Sequence, residues 1–340
     1  MPACKVLILY NPPVLPANHP EAISEHSLLD TVAAVQRSLH ARGYQVSTVG
    51  MTYQPGLLVD AVRRYRPDAV FNLFEGTNEH GHTEACAAAL LEWLGVPFTG
   101  CAFDTLCLAR NKALTKNVLR GAGLPTPDFF VVERLPMPAS RLAWPVIVKP
   151  NLHDASLGID HSSVVTNQAD LEARILHVQR TCGPEVLVEE FIAGREFTVP
   201  LVGTPTLRPL PLGEIAFLER PGRWPIVTFA AKWQTESADY RATPVHVPAV
   251  VEPQLERELS ALARAAFQLL KCRDYAQVDF RVSQAGQPYI LEVNPNPCFD
   301  PEAGFAHSLT EAGLSYEEFT AQLVHNALAR PRPSCSTALT

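Results

Sequence analysis

Residues 275–297 read Tyr-Ala-Gln-Val-Asp-Phe-Arg-Val-Ser-Gln-Ala-Gly-Gln-Pro-Tyr-Ile-Leu-Glu-Val-Asn-Pro-Asn-Pro. Apolar and polar residues alternate in both halves, and a polar segment containing Gly286 separates them, which predicts two strands joined by a tight turn. A four-residue turn that sets Ser283 opposite Pro288 gives the register that we expect. One face of this hairpin is predicted to be largely apolar, and its residues are Ala276, Val278, Phe280, Tyr289, Leu291 and Val293.

The other face of the hairpin is polar and indicates a function. The expected register places Asp279 opposite Glu292, and Gln277 opposite Asn294. Two opposed carboxylates repel each other unless a positive charge lies between them. Carboxylate and amide oxygens suit magnesium, so Asp279, Glu292 and Asn294 are candidate metal ligands. On this segment alone, a solvated outer face without a metal is the alternative.

The composition is typical of a globular enzyme. The chain has 340 residues and a formal net charge of −7, a length that allows two or three domains. We see neither a basic stripe nor a basic amphipathic segment, and therefore expect no nucleic-acid partner and no membrane partner. The apolar run at residues 6–10 is too short for a signal peptide, and the eight cysteines lack paired spacing. A cytoplasmic protein with reduced thiols is the expectation.

The first hundred residues alternate short apolar runs with helical patterns, which predicts an α/β unit with a parallel sheet. Ligands of such sheets bind beyond the carboxyl ends of the strands, which here are followed by residues 11–25 and 72–82. The predicted strands and helices alternate at residues 6–10, 28–41, 44–49, 57–65, 69–73 and 84–94.

From residue 128 onward, paired strands with few helices predict an α+β fold. A helix at residues 112–120, capped by Asn111, precedes this change, and a strand is predicted at residues 226–230. The predicted domains are an N-terminal parallel α/β domain at 1–110, a small central domain at 111–195, a C-terminal domain at 196–330 and a frayed tail at 331–340.

Individual residues give weaker signals. Lys149 ends an apolar strand and precedes a flexible loop with Ser156, an arrangement that can hold a phosphate; a lysine that extends from a strand end into solvent is the alternative. His80, His82 and Glu84 are close in sequence but offer too few fixed ligands to favour zinc. Because the P-loop, Rossmann and serine-elbow motifs are missing from the sequence, those three kinds of site are not indicated.

Seven segments, taken together and in order, resemble the ATP-grasp superfamily and within it the D-alanine:D-alanine ligase-like branch. They cover nearly the whole chain, and the resemblance implies a three-domain fold in which ATP is held between two α+β domains. The segments are Val70-Phe-Asn-Leu-Phe-Glu-Gly76, Ala89-Leu-Leu-Glu-Trp-Leu-Gly-Val-Pro-Phe-Thr-Gly100, Asn111-Lys-Ala-Leu-Thr-Lys116, Gly123-Leu-Pro-Thr-Pro127, Val146-Ile-Val-Lys-Pro150, Val188-Glu-Glu-Phe-Ile-Ala-Gly-Arg-Glu-Phe-Thr-Val199 and Leu291-Glu-Val-Asn-Pro-Asn-Pro297.

The resemblance assigns roles in ATP binding to five residues. Lys112 and Lys149 match the lysines that hold the ATP phosphates. Lys232 looks like the family lysine that reaches the phosphates from the third domain. Glu189 and Ile192 match the hinge residues that receive adenine.

Five further residues match family positions around the ribose, the metal and the first substrate. Glu196 matches the acid that binds the ribose. Asp279, Glu292 and Asn294 match the magnesium ligands, in agreement with the register argument. Glu25 aligns with the acid that binds the amino group of the first amino acid.

The activity implied by this resemblance is an ATP- and magnesium-dependent ligation. A substrate carboxylate attacks the γ-phosphate to form an acyl phosphate, and an amine then displaces phosphate to form an amide. The loop at residues 151–159, which contains Ser156, would close over the phosphates and exclude water. Small-molecule substrates are therefore expected, namely an amino acid or similar acid plus an amine, and a homodimer is common in the family.

One position departs from the family pattern where charge develops. Family ligases usually have an arginine two residues before the first magnesium aspartate, and this chain has Gln277. Loss of one such donor can raise the barrier by about 2.7–4 kcal/mol. Arg281 lies roughly 13 Å further along the strand, too far to replace it. A nucleotide-binding protein with weakened catalysis, acting as a sensor or scaffold, is the alternative function.

The segments that contact substrate also differ from the family. The phosphate loop reads His153-Asp-Ala-Ser156, and Trp233 stands where a tyrosine is common. Residues 294–302 replace the serine-rich ending that recognises the second D-alanine. We therefore expect substrates other than two D-alanines.

Overall fold

The structure is a computed structural model that describes residues 3–15, 22–77, 81–203 and 206–331, with side chains in the first helix from residue 26 onward. Three sheets organise this part of the chain. The tail that was expected to fray lies, from residue 332, outside the described residues. The division into domains remains a prediction.

The first sheet is parallel, as predicted, with strand order β2-β1-β3. Its predicted strands and helices are confirmed, although the first helix begins at residue 22 rather than 28. The elements are β1 (Lys5–Tyr10), α1 (Ala22–Ala41), β2 (Gln45–Gly50), α2 (Gly56–Tyr65), β3 (Ala69–Leu73) and α3 (Thr83–Trp93). Two helices follow, α4 (Phe103–Arg110), which was not predicted, and α5 (Lys112–Gly121), which was.

The second sheet has strand order β4-β7-β5-β6, and its strands pair antiparallel. One face packs on α6 through a core of valines, Leu171 and Ile175. The elements are β4 (Phe129–Val132), β5 (Val146–Pro150), a 3-10 helix (His161–Ser163), β6 (Val164–Val165), α6 (Gln168–Cys182) and β7 (Val186–Glu190).

The third sheet is antiparallel, with order β11-β10-β8-β12-β13 and with β9 paired to β8. Its strands are β8 (Gly194–Val202), β9 (Arg208–Pro209), β10 (Gly213–Ile215), β11 (Val245–His246), β12 (Tyr275–Ser283) and β13 (Pro288–Asn294). The helices of this part are α7 (Phe229–Trp233), α8 (Ala238–Arg241), α9 (Pro253–Leu269), α10 (Gly304–Glu311) and α11 (Tyr316–Ala329).

The last of these helices packs on the first sheet. Phe319 and Leu323 of α11 share one buried cluster with Val6, Ile8 and Phe71 of that sheet. A parallel sheet needs apolar cover on both faces, and α11 supplies part of it. The C-terminal segment therefore returns to the N-terminal sheet, which the sequence pattern did not indicate.

The hairpin formed by β12 and β13 has a shorter turn than predicted. Ser283 pairs with Gln287 through a 2.9 Å backbone hydrogen bond, so the loop has three residues and ends at Gly286, whose φ is +81°. A three-residue loop requires this left-handed conformation near its end, which glycine adopts at low cost. The expected pairing of Ser283 with Pro288 was wrong.

A β-bulge compensates for the shorter turn. The register shifts between Asp279 and Phe280, so Phe280 pairs with Ile290 while Asp279 still pairs with Glu292. Ile290 is buried on the apolar face, rather than Tyr289 and Leu291 as predicted, and both of these are half-buried. The bulge therefore keeps both carboxylates on the polar face.

The strand predicted at residues 226–230 is also wrong, because helix α7 begins at Phe229. Thr228 caps this helix, and its hydroxyl accepts a 3.0 Å hydrogen bond from the backbone N–H of Ala231. The local cap outweighs the strand propensity of the apolar run.

Candidate active site

The polar face of the hairpin has the predicted pairing. Asp279 lies opposite Glu292, and Gln277 opposite Asn294. The side-chain Nε2 of Gln277 donates a 2.8 Å hydrogen bond to Oδ1 of Asp279. The position where the family has a charged group therefore holds a neutral donor bound to a candidate metal ligand.

The two opposed carboxylates differ in pKa. Burial, together with the charge of Glu292, raises the pKa of Asp279 to about 8. Burial acts in the same direction on Glu292, but the charges of Lys112, Lys232 and Lys149 outweigh it and lower the pKa of that carboxyl. Asp279 is therefore the acid whose charge lacks compensation.

The candidate metal ligands fit magnesium by their donor atoms. Asp279, Glu292 and Asn294 present oxygen ligands, and a cation beside Asp279 would offset the burial and the repulsion that raise its pKa. Within the described ranges, no group of three or more His, Cys, Asp or Glu could hold a metal ion. Magnesium bound by two carboxylates would thus depend on the amide, phosphates and water for its other ligands.

Lys112 lies beside the hairpin because of the way α5 begins. Asn111 caps this helix by accepting a 2.9 Å hydrogen bond from the N–H of Leu114, as predicted. Nζ of Lys112 lies 3.3 Å from Oε2 of Glu292 and forms an ion pair with Asp154 of the phosphate loop. Burial lowers the pKa of Lys112, but the two carboxylates outweigh this effect and raise it.

Lys149 and Lys116 flank one buried carboxylate. Glu189 is 1% exposed and pairs with Nζ of Lys149 and, at 2.9 Å, with Nζ of Lys116. Burial raises the pKa of Glu189, but the two lysines outweigh this effect and lower it to about 2. Lys116 also donates a 2.9 Å hydrogen bond to the hydroxyl of Thr126. Sequence reasoning missed Lys116, although its position four residues after Lys112 places both on one helix face.

Glu196, the predicted ribose ligand, is paired within the protein. Its Oε2 lies 2.8 Å from Nε of Arg281. The guanidinium of Arg281 is buried and lies over the rings of Phe191 and Phe217, at 5.4 and 4.9 Å from their centroids. Arg281 is thus committed to Glu196, which agrees with the expectation that it does not replace the missing charge near Gln277. Ile192, which was predicted to form the adenine hinge together with Glu189, is also buried.

Helix α7 carries Lys232, whose side chain is exposed. The charge of Lys232 lowers the pKa of Asp279 and Glu292, so it lies in the electrostatic range of the hairpin. The next residue, Trp233, donates a 3.0 Å hydrogen bond from Nε1 to the carbonyl of Ala155. Ser156 follows in the same loop with a φ of +59°. The loop that contains Ser156 is therefore joined directly to the segment that contains Lys232.

Two acids that were not predicted as site residues, Glu84 and Glu75, interact with residues of the candidate site or its neighbours. Glu84 accepts a 2.8 Å hydrogen bond from Nδ2 of Asn296, and burial raises its pKa to about 8. Burial raises the pKa of Glu75 to about 7, although Lys232 opposes the shift. Glu75 keeps an exposed surface. Glu75 follows β3, the position that the rule for parallel sheets does indicate.

Two positions singled out in the sequence lie outside the described residues. They are the side chain of Glu25 and residue His80, so the role of Glu25 as the substrate acid stays a prediction. Helices long and apolar enough to cross a membrane do not occur in the described ranges.

Comparison with known proteins identifies relatives along most of the chain. Residues 118–325 match the family described as D-ala D-ala ligase C-terminus. A D-alanine–D-alanine ligase of Desulforudis audaxviator is 32% identical over 303 residues, which cover 87% of this chain and 92% of that protein. An uncharacterized protein of Sinorhizobium fredii, y4sG, is 34% identical over 269 residues, which cover 77% of each chain.

Solved structures share the fold at lower identity. A D-alanine–D-alanine ligase from Bacillus anthracis, complexed with ATP, has a TM-score of 0.74 at 20% identity, covering 96% of this chain and 97% of that chain. The VanG D-Ala:D-Ser ligase from Enterococcus faecalis has a TM-score of 0.74 at 19% identity, with coverages of 96% and 99%.

Proposed function

The chain belongs to the D-alanine–D-alanine ligase family, and on that premise we propose that it is an ATP- and magnesium-dependent ligase that joins a small carboxylic acid to an amine. The resemblance and the ATP-grasp fold predicted from the sequence are thereby confirmed. The observation that carries the proposal is the meeting of opposed carboxylates, Asp279 and Glu292, with Lys112 and Lys232 from other segments.

Two of the lysines are held in position for the phosphates of ATP. Lys112 and Lys149 each pair with a carboxylate in this structure. Asn151 after β5 accepts a 2.9 Å hydrogen bond from the N–H of Ala113, which ties the start of α5 to the end of β5. The two lysines are therefore positioned together, and phosphoryl transfer depends on positioned charge more than on covalent chemistry.

Asp279, Glu292 and Asn294 would hold magnesium, which neutralises charge on the transferring phosphoryl group. Glu189 and Ile192 are proposed for adenine and Glu196 for ribose, which requires Glu196 to share or exchange Arg281. The loop that contains Ser156 covers the phosphates and excludes water, so that an acyl phosphate reacts with the amine rather than with water.

The substrates are an acid and an amine of small size. Relatives are named for D-alanine, and Glu25 is proposed for the amino group of an amino acid substrate. The segment at 294–302 and the acids Glu75 and Glu84 favour a second substrate other than D-alanine, since matched polar partners decide such selectivity. A homodimer and a cytoplasmic location complete the proposal; the seven described cysteines are free thiols, as a reducing compartment requires.

A second candidate is a nucleotide-binding sensor or scaffold with weakened ligation. Gln277 favours it, because this side chain bonds Asp279 without adding charge. The proposed ligase predicts ADP release that depends on both an acid and an amine, measured over a panel of amino acids and amines. Nucleotide binding without amine-dependent turnover over the whole panel would leave the sensor function in its place.

A matched pair of variants makes the assay specific. Asp279→Asn removes one proposed metal ligand, and we expect it to abolish amine-dependent ADP release. Asp60→Asn makes the same chemical change on the exposed face of α2 and is expected to keep wild-type turnover. Equal activity in the two variants would contradict the proposed metal site.

A further inference from the structure

Asp239, in α8, binds three side chains that come from separate segments. Its Oδ2 lies 3.1 Å from Nε2 of His161 and accepts a 2.9 Å hydrogen bond from the hydroxyl of Thr228. Its Oδ1 accepts a 2.7 Å hydrogen bond from Nη1 of Arg220. The Asp239 side chain is 18% exposed. A carboxylate with this number of donors fixes all three groups, because charged hydrogen bonds are stronger than neutral ones.

The contact with Thr228 leads to Lys232. The hydroxyl of Thr228 donates to Asp239 and accepts from the N–H of Ala231 in α7. Helix α7 has five residues, and so short a helix has little stability of its own. The cap is one of the contacts that hold α7, and its hydroxyl is bound by Asp239. Lys232 lies on this helix, four residues after the capping threonine.

The contact with His161 leads to the phosphate loop. His161 begins the 3-10 helix that directly follows this loop. The same loop receives two bonds from α7, the N–H of Phe229 to the carbonyl of Ile159 and Nε1 of Trp233 to the carbonyl of Ala155, each 3.0 Å long. The phosphate loop is thus joined to α7 at both ends of the helix. The contact of His161 with the Asp239 carboxylate lies just beyond the end of the loop.

We propose that Asp239 is a positioning residue, which holds Lys232 and the phosphate loop in the arrangement that receives the phosphates of ATP. The identity of this ligand rests on the proposed function, whereas the contacts themselves do not. Arg220 pairs with Asp239 and neutralises the charge of its carboxylate. Burial opposes ionisation of Asp239, but Arg220, Thr228 and His161 outweigh it and lower its pKa, so the carboxylate is ionised at neutral pH.

A double-mutant cycle on magnesium ADP affinity tests whether Asp239 acts through Lys232. We expect Asp239→Asn and Lys232→Met each to weaken binding about tenfold, and Asp239→Asn to add only about threefold in the Lys232→Met background, which is the part of its effect that acts through the phosphate loop. Multiplication of the two single effects would overturn the proposal, because a merely structural role is independent of Lys232. Asp60→Asn is the control and should bind like the wild type.

The hydroxyl link is tested by a conservative pair. Thr228→Val keeps the shape of the side chain but removes the hydroxyl, and should weaken binding several-fold. Thr228→Ser keeps the hydroxyl and should restore most of the affinity. Equal affinities in the two variants would contradict the role of the Asp239–Thr228 bond.

Hydrogen exchange in the ligand-free protein measures the same link without a nucleotide. Asp239→Asn should speed amide exchange in residues 155–163 and in residues 229–234, whereas faster exchange confined to residues 237–243 would overturn the link. If the wild type binds no magnesium ADP, the proposed function fails and the exchange result alone decides the inference.

Discussion

Replacement of Asp279 by asparagine should stabilise the ligand-free protein at high pH and should remove most of the stability that magnesium ADP adds. In the ligand-free protein, burial and Glu292 raise the pKa of Asp279 from 3.8 to about 8. An acid with a raised pKa contributes most below its unfolded value, near pH 4, and its contribution is lost as the pH rises toward 8. The asparagine side chain does not ionise and has no such loss, so the variant should be more stable than the wild type at pH 9.

The size of this difference follows from the raised pKa. A change of one in the pKa corresponds to about 1.4 kcal/mol, so at pH 9 the variant should gain on the order of a few kcal/mol. At pH 5 the carboxyl of the folded wild type is largely protonated, and the gain should fall to about 1–2 kcal/mol. Urea unfolding followed by tryptophan fluorescence, at several pH values between 5 and 9, measures both numbers.

Magnesium ADP should shrink this difference and, near pH 5, where the ligand-free gain of the variant is only about 1–2 kcal/mol, reverse the order of stability. At a concentration of about 100 times its Kd, a ligand that binds only the folded protein adds about 2.7 kcal/mol. The wild type should show this gain only when magnesium and ADP are both present, and the variant should lose most of it. The control, Asp60→Asn, should behave like the wild type throughout.

Two results would refute this reasoning. A variant that keeps the full magnesium-dependent gain would mean that Asp279 holds no metal, and that the polar face of the hairpin is only solvated. A ligand-free variant less stable than the wild type at pH 9 would mean that the charge of Asp279 is compensated within the protein.

Three other variants test neighbouring features. Gln277→Arg should lower amine-dependent turnover several-fold if Gln277 belongs to a retuned active site; a gain of turnover from an inert wild type would favour the sensor function. Glu84→Gln should stabilise the protein above pH 8 but not near pH 4, because the raised pKa of Glu84 costs stability as the pH rises from 4.5 to about 8; urea unfolding at both pH values measures this, and a constant difference would contradict it. Lys116→Met should cost about 1–3 kcal/mol in urea unfolding, since buried Glu189 loses one of its two lysine partners but keeps Lys149, whereas Leu114→Met on the exposed side of α5 should cost less than about 1 kcal/mol.

The sequence predicted the hairpin pairing through two errors that cancel. The predicted turn was one residue too long, and the bulge near Leu291 was not expected. Alternation of apolar residues specifies which face is buried, but a bulge changes the alternation only locally and leaves a weak signal. The pairing of Asp279 with Glu292 was correct because the bulge restores the register that the shorter turn removes.

Contacts between distant segments could not be predicted from local patterns. The capping of α5 by Asn111 was predicted, since a cap involves residues three apart. The burial of Lys116 against Glu189 depends on how α5 packs on β7, which periodicity does not encode. The same is true of Asp239, whose partners lie 11 to 78 residues away. Helix α7 was missed because its sequence is short and apolar, where helix and strand patterns are alike.

The arrangement around Glu189 explains how Lys149 can serve two partners. In this structure Lys149 pairs with Glu189, and in the proposed function it must pair with phosphate. If Glu189 had no other partner, this exchange would leave a buried carboxylate uncompensated, at a cost of several kcal/mol. Lys116, 1% exposed and 2.9 Å from the same carboxylate, removes most of that cost because it stays in place. A neutral residue at position 116 would therefore weaken nucleotide binding as well as stability. Glu189 would then have Lys149 as its one lysine partner, and Lys149 could move to a phosphate only by leaving Glu189 uncompensated.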